Sequence, residues 1–285
     1  PSTPGTLHGL SLWLAYAVCG LPVLLGFVVP FMQLLVWASI TYDSILTRDF
    51  AGYLFNSVTL AAITAIAALG LALFIAYGKR VFPSQLTRAS SRLVGLGYAL
   101  PGTVVAIGVL VPFAWFDNRL SEFMVATFDY NTGLLLSGTV FILVFAYLVR
   151  FLPIALNTVD AGLAKIRPSM DETGRSMGFS PAALLRRVHI PIMRGSLATA
   201  LLLVFVDVLK ELPATLLLRP FNFNTLAIRT YELANEERLA DAAGPALAIV
   251  LASLIPVILL SRTLRQAGEA PSSLPQGSST SDESK

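Results

Sequence analysis

Residues 171–192 read DETGRSMGFSPAALLRRVHIPI. The stretch is charged and helix-like, yet long apolar runs enclose it on both sides. Ser169 and Glu172 have the S-x-x-E spacing of a capping box, in which the serine accepts an N–H of the first turn and the glutamate reaches back to the cap. A helix is therefore expected to start at about Ser169, just after Pro168. Gly178 can take the left-handed conformation that ends helices. Ser180 followed by Pro181 offers a second N-cap with proline at the first helical position. Pro191 disfavours helix in the residue before it, so AALLRRVHI is expected to stop there. The stretch predicts a helix, a sharp turn and a helix. As physics alone it fits an amphipathic connector with Arg186 and Arg187 on lipid phosphates, or a rigid knob presented to a soluble partner.

The solvent follows from composition. Apolar residues make up 55% of the 285-residue chain, charged residues 13%, and mean hydropathy is +0.72. A soluble domain carries about a quarter charged residues. Six apolar runs, near 12–38, 53–77, 93–115, 134–156, 197–218 and 243–260, are each near the roughly 20 helical residues a bilayer core requires. Runs this continuous satisfy their backbone in lipid as helices. The fold class expected is an all-α membrane protein with six transmembrane helices. The first run is longer than the 7–15-residue core of a signal peptide and follows no basic region. A single cysteine, Cys19, excludes a disulfide framework and a Cys-based metal site.

Basic residues orient the chain. With both termini cytoplasmic, the inner segments hold Lys79, Arg80, Arg88, Arg92, Arg150, Lys165, Arg167, Arg175, Arg186, Arg187, Arg194, Arg262, Arg265 and Lys285. The outer ones hold Arg48, Arg119, Arg219, Arg229 and Arg238. This is a positive-inside bias, and it accounts for the net charge of +3 without any nucleic-acid partner. It places 171–192 on the cytoplasmic side. Arg150 is expected to snorkel to the inner interface.

Other stretches carry narrower expectations. Residues 78–93, GKRVFPSQLTRASSRL, read as a short basic loop. In GYALPGTVVAIG (97–108), Gly97, Pro101, Gly102 and Gly108 suggest close helix packing with a kink at Pro101. Span five carries Asp207, Lys210 and Glu211, which at i, i+3 and i+4 share one helix face. They read either as a packing ion pair, Asp207 with Lys210, or as a polar wall of a translocation path, with Pro213 loosening the helix above. The loop 219–243 holds Glu232, Glu236, Glu237 and Asp241 among Arg229 and Arg238. It reads as a solvated helix or as a charged docking surface. Asn222, Asn224 and Tyr231 offer oxygen atoms but no ligand cluster. His8 lies in a linker-like start, PSTPGTLHG, spanning 1–9, and His189 reads as an exposed residue of the joint. The Ser/Pro-rich tail, 266–285, is expected to be disordered.

Glu172-Thr173-Gly174, three residues, Gly178, nine residues, then Val188-His189-Ile190-Pro191 resembles the EAA loop of ABC importer permeases. That loop has the form E-A-A, three residues, G, nine residues, I-x-L-P. Thr-Gly replaces Ala-Ala, Val replaces Ile and Ile replaces Leu, with the spacing intact. The resemblance implies a type I, MetI-like transmembrane domain over 10–265, with a coupling loop at 168–191 that docks on a cytoplasmic ATPase dimer. Glu172, Thr173, Gly174, Gly178, Val188, Ile190 and Pro191 would carry that contact. It implies a bacterial inner-membrane location, ATP and Mg on the partner and none bound by this chain, and a periplasmic binding protein. Glu232, Glu236 and Glu237 are the candidate residues for meeting that protein if their loop is a docking surface, and Asp207, Lys210 and Glu211 the candidate path residues if span five forms a polar wall.

NSVTLA (56–61), GYALPGTVVAIG and 207–243 are similar to ferric-iron permeases, a likeness running from Leu10 to Arg265. In that subgroup two six-helix halves are often fused, and the linker-like start suits a second half. Thiamine, sulfate and phosphonate permeases share the architecture. The chain lacks a G-x-x-x-x-G-K-[ST] stretch and a visible nucleophile–base pair, so no enzymatic activity of its own is expected. An ion-gradient transporter using Asp207 and Glu211 is the competing class, but its usual repeat pair is not seen.

Overall fold

The computed structural model describes residues 9–42, 48–131 and 133–268. The expected linker, Gly9 aside, and the tail beyond Gly268 lie outside the described residues. Among the described residues the secondary structure is helical, with no strand. In chain order come α1 (Leu10–Ile40), α2 (Arg48–Val81), α3 (Gln85–Gly95), α4 (Gly102–Phe128), α5 (Val140–Ala164), α6 (Pro168–Ser176), α7 (Pro181–Leu209), α8 (Pro213–Leu218), α9 (Leu226–Asn235) and α10 (Leu239–Gly268). Six of them, α1, α2, α4, α5, α7 and the Leu239–Ile258 part of α10, are long and apolar enough to cross a membrane.

The centre is the mutual packing of α2, α5 and α7. Ala61, Ala65, Ala68, Ala72 and Ala76 form a buried stripe on α2. Small side chains recurring at three and four residues let helix axes approach closely, which drives helix association where lipid is as apolar as the core. The opposite faces of α2 show Phe55, Ile66 and Phe74, each more than 60% exposed, a surface suited to acyl chains. α1 buries no residue within its own chain and packs on α10, where the Thr41 hydroxyl donates to the Ala240 carbonyl at 3.1 Å.

Two expectations about the third span are corrected. Residues 85–95 form a separate amphipathic helix, α3. Ser84 caps it by accepting from the Thr87 N–H while Thr87 Oγ1 accepts from the Ser84 N–H, a reciprocal cap that stands in for the usual Ser–Glu pair. The membrane helix therefore starts at Gly102, and Pro101 is its N-cap rather than a kink. A Cβ on Gly97 would collide with the Val149 carbonyl oxygen, and one on Gly102 would sit 2.6 Å from Glu211 Oε1, so both glycines serve close approach. Gly108 faces open space and does not.

At the end opposite Arg80 and Lys165, the buried Asp117 of α4 accepts the N–H groups of Leu136 (3.1 Å) and Ser137 (2.7 Å). It thereby satisfies backbone that enters the bundle before α5.

Candidate functional site: the two-helix joint and the mid-span charges

The joint is built from local caps that differ in part from expectation. α6 begins at Pro168, with Arg167 as its N-cap and no side-chain capping bond, so the Ser169–Glu172 box does not form. Ser169 already lies inside the first turn, where its carbonyl accepts from the Thr173 hydroxyl at 2.9 Å. The C-terminal stop forms as read. Gly178 has φ +80°, its N–H donates to the Arg175 carbonyl (2.9 Å) and the Phe179 N–H to the Gly174 carbonyl (3.0 Å). These are the paired bonds of a Schellman cap. Ser180 then caps α7, accepting from the Ala183 N–H at 3.3 Å, with Pro181 at the first position.

The expected stop before Pro191 is absent. α7 continues to Leu209, and the helix widens into a π turn over Leu185–His189, with Ile190 between it and the proline. Proline lacks the N–H that would reach the carbonyl four residues back, and its ring crowds that carbonyl. Widening the preceding turn lets the helix pass.

Gly174 is buried, and a Cβ there would lie 2.5 Å from Leu184 Cδ1. The glycine that replaces an alanine of the resembled motif is thus where α6 meets the first turn of α7. Beside that contact runs an apolar groove lined by Met170, Met177, Phe179, Leu184 and Val188. Glu172, Thr173, Gly178 and Pro191 are exposed, while Val188 and Ile190 are half-buried.

Four residues of this region escaped the sequence reading as a group: Tyr77, Arg80, Asp171 and His189. Arg80 Nε donates to Asp171 Oδ2 at 2.7 Å, and its Nη atoms donate to the Leu163 (2.7 Å) and Ile166 (3.0 Å) carbonyls at the end of α5. His189 is fully buried, not exposed, with Nε2 2.7 Å from Asp171 Oδ1. The Tyr77 hydroxyl donates to the Pro181 carbonyl at 2.8 Å, and its ring lies 5.4 Å from that of His189. Burial pushes the Asp171 carboxyl up, but hydrogen bonds from Arg80 and His189 and the Arg80 charge outweigh it and hold the group below the usual range. Alongside, Lys79 pairs with Asp160 at 2.5 Å.

The charges of the fifth span do not share one face. α7 ends at Leu209, so Lys210 and Glu211 lie in a break before α8. Lys210, 63% exposed, turns back to Asp207 at 2.8 Å. Glu211, 6% exposed, points instead to Arg150 at 3.2 Å, and its Oε1 accepts from the Ala214 N–H at 3.2 Å, capping α8. Its carbonyl accepts from Thr215 Oγ1 at 2.6 Å, and the Thr215 hydroxyl also meets that of Tyr147. Arg150 therefore does not snorkel. It sits 14 residues before the end of α5, roughly 21 Å along the helix, and turns to Glu211 instead.

In the 219–243 region, Glu232 is engaged by Arg219 (3.2 Å) and Arg229 (3.6 Å), and Glu236 meets Arg238 at 3.6 Å. Glu237 is exposed with φ +60°. Among the described residues no group of three His, Cys, Asp or Glu could hold a metal ion.

Among the described residues the chain thus has six helices long and apolar enough to cross a membrane, charges at the helix break after Leu209 and a capped helix pair at one end. The chain belongs to the family of binding-protein-dependent transport system inner membrane components, whose sequence pattern matches residues 68–266. It is 30% identical over 237 residues to the Fe(3+)-transport system permease protein FbpB 2 of Haemophilus influenzae, covering 82% of this chain and 44% of that one. It is 25% identical to the putative 2-aminoethylphosphonate transport system permease protein PhnV of Salmonella typhimurium, over 76% of each chain. The chain thus spans less than half the length of the Haemophilus relative. Among solved structures it resembles a bacterial ABC transporter involved in the import of the acidic polysaccharide alginate, at TM-score 0.68 and 16% identity over 89% of this chain and 96% of that one. It also resembles the inward facing methionine transporter MetNI, at TM-score 0.56 and 14% identity over 78% and 99%. These two show the fold.

Proposed function

We propose that this chain is the permease subunit, or one half of the permease, of an ATP-driven importer that moves ferric iron delivered by a periplasmic binding protein. The observation that carries the reading is the preformed joint at 168–191, in a chain of this family with an Fe(3+) permease among its relatives. In this reading the joint, the basic end and both termini face the cytoplasm. Glu172, Thr173, Gly174, Gly178, Val188, Ile190 and Pro191 present or shape the contact with an ATPase dimer, which holds ATP and Mg. A capped helix pair transmits motion better than a loose connector. A second six-helix half, fused or separate, covers the face that carries Lys210, because a charge near mid-membrane is not lipid-facing. Asp207, Lys210 and Glu211 then stand at the edge of the path, and Glu232, Glu236 and Glu237 at the side met by the binding protein.

A phosphonate cargo is the second reading, favoured by the PhnV relatives that match over three quarters of both chains. The test is uptake of labelled ferric iron and labelled 2-aminoethylphosphonate by cells lacking their own systems. The cells carry the whole transporter, with this chain either unchanged or as Gly178→Pro, which φ +80° cannot accommodate. Iron uptake that collapses with the substitution while the protein still inserts supports cargo and joint together. Uptake of phosphonate without iron discards the iron assignment. Iron uptake that survives Gly178→Pro sinks the role given to the joint.

A further inference from the structure

We propose that Asp171 is the positioning residue of the joint. Its carboxylate, gripped by Arg80 and His189, binds α6 to α2, α5 and α7, so that a push on α6 moves those spans instead of the loop alone. The inference rests on the reading of α6 as the ATPase contact.

The geometry is that of a node. One carboxylate takes Arg80 from α2 on Oδ2 and His189 from α7 on Oδ1, both at 2.7 Å. The same guanidinium donates to the Leu163 and Ile166 carbonyls where α5 ends, the Leu163 carbonyl also accepting the Ile166 N–H at 3.1 Å. Four elements therefore meet through three side chains, those of Asp171, Arg80 and His189. The node is sheltered, with Asp171 14%, Arg80 18% and His189 0% exposed, so salt screens it little. A guanidinium bound through three nitrogens has a fixed orientation that a lysine could not reproduce.

α6 has few other holds on the bundle. The hydroxyls of Thr173 and Ser176 are spent on carbonyls of α6 itself, at Ser169 and Glu172. Gly174 gives only a van der Waals seat against Leu184. A contact of that kind resists compression and not withdrawal, whereas charge-assisted hydrogen bonds resist both. An importer cycle pushes and pulls. Asp171 is also directly next to the exposed Glu172, so force on the one reaches the other through a single peptide unit.

The test uses the whole transporter, with second half, ATPase and binding protein, in proteoliposomes. ATP hydrolysis, labelled cargo uptake and the amount of co-purified ATPase are measured side by side. Amide hydrogen exchange over 169–178 is followed in the same preparations. Asp171→Asn is expected to keep the ATPase and its hydrolysis while uptake per ATP falls on the order of tenfold, within the range that coupling free energies cover. Exchange over 169–178 quickens, and exchange over 61–76 does not. His189→Gln, whose amide can donate to Asp171, retains coupling, and His189→Ala loses it.

Unchanged uptake per ATP in both Asp171→Asn and His189→Ala overturns the proposal. So does a proportional fall of assembly, hydrolysis and uptake, which a purely structural role would give. An unaltered chain whose uptake ignores ATP overturns the importer reading. In that case exchange over 169–178 separates the two: quickened exchange in Asp171→Asn leaves the node standing, and unchanged exchange removes it.

Discussion

Arg150 Nη1 and Glu211 Oε1 meet at 3.2 Å, joining the middle of α5 to the break between α7 and α8. The same glutamate oxygen accepts from the Ala214 N–H, so one side chain closes an ion pair and caps the next helix. Gly102 lies against both charged groups and has no side chain to keep them apart. Three spans are thereby held together at one level.

Neutralising one partner of such a pair strands the other. Glu211→Gln preserves the acceptor for Ala214 and removes the charge, which leaves Arg150 uncompensated at a cost of about 3–5 kcal/mol. Thermal unfolding of the purified protein in detergent is expected to show a lowered Tm. Adding Arg150→Met is expected to restore most of it. A double variant no more stable than the single one contradicts the pairing as the source of the loss.

Gly97 and Gly108 should behave oppositely. A methyl on Gly97 meets the backbone carbonyl of Val149, which has no rotamer to escape into, so Gly97→Ala is expected to cost about 1–3 kcal/mol. Gly108 faces open space within α4, and Gly108→Ala is expected to be neutral or to stabilise by up to about 1 kcal/mol. Parallel melting curves decide it.

The left-handed Gly178 sets the angle between α6 and α7. Asparagine enters that region with little strain, whereas a β-branched residue does so at about 1–2 kcal/mol. If the chain serves the proposed importer, Gly178→Asn is expected to retain ATP-driven uptake and Gly178→Val to lose most of it. Limited proteolysis should cut Gly178→Val faster at 177–181. Equal uptake in the two variants removes the conformational argument.

The Asp171 carboxyl is held below its ordinary value in the folded protein. A group of that kind contributes stability above its unfolded value of about 3.9, and the contribution fades as pH falls through the lower folded value. The Tm difference between the unchanged protein and Asp171→Asn is therefore expected to persist from pH 7 to pH 5 and to narrow below about pH 4. A difference that vanishes by pH 6 would mean that some other group supplies it.

The sequence was a good guide wherever one physical rule acted alone. Six spans were legible because lipid requires long apolar helices with internally satisfied backbones, and charges interrupt them visibly. The Schellman turn at Gly178 and the Ser180 cap were legible because each depends on residues within one turn of chain. The Ser169–Glu172 box misled because Pro168 starts the helix one residue earlier and places the serine inside it. Pro191 misled because a widened turn absorbs its missing N–H, a remedy that spacing does not announce.

Most of the candidate site was decided between elements. Asp171 and Glu172 are adjacent acids on one short helix, and nothing local tells which one is exposed and which is gripped by Arg80 from 91 residues upstream. His189 reads as a polar residue in a basic segment until α2 and α6 close over it. Arg150 reads as a snorkelling residue until the break after Leu209 brings Glu211 within reach. Hydropathy and turn chemistry are properties of consecutive residues, so the sequence by itself determined the number of membrane helices and the turn at Gly178 with the Ser180 cap after it. A buried charge takes whatever partner packing brings to it, because in a low-dielectric interior an unpaired charge is too costly to leave, and so only the tertiary structure decided which charges belong together.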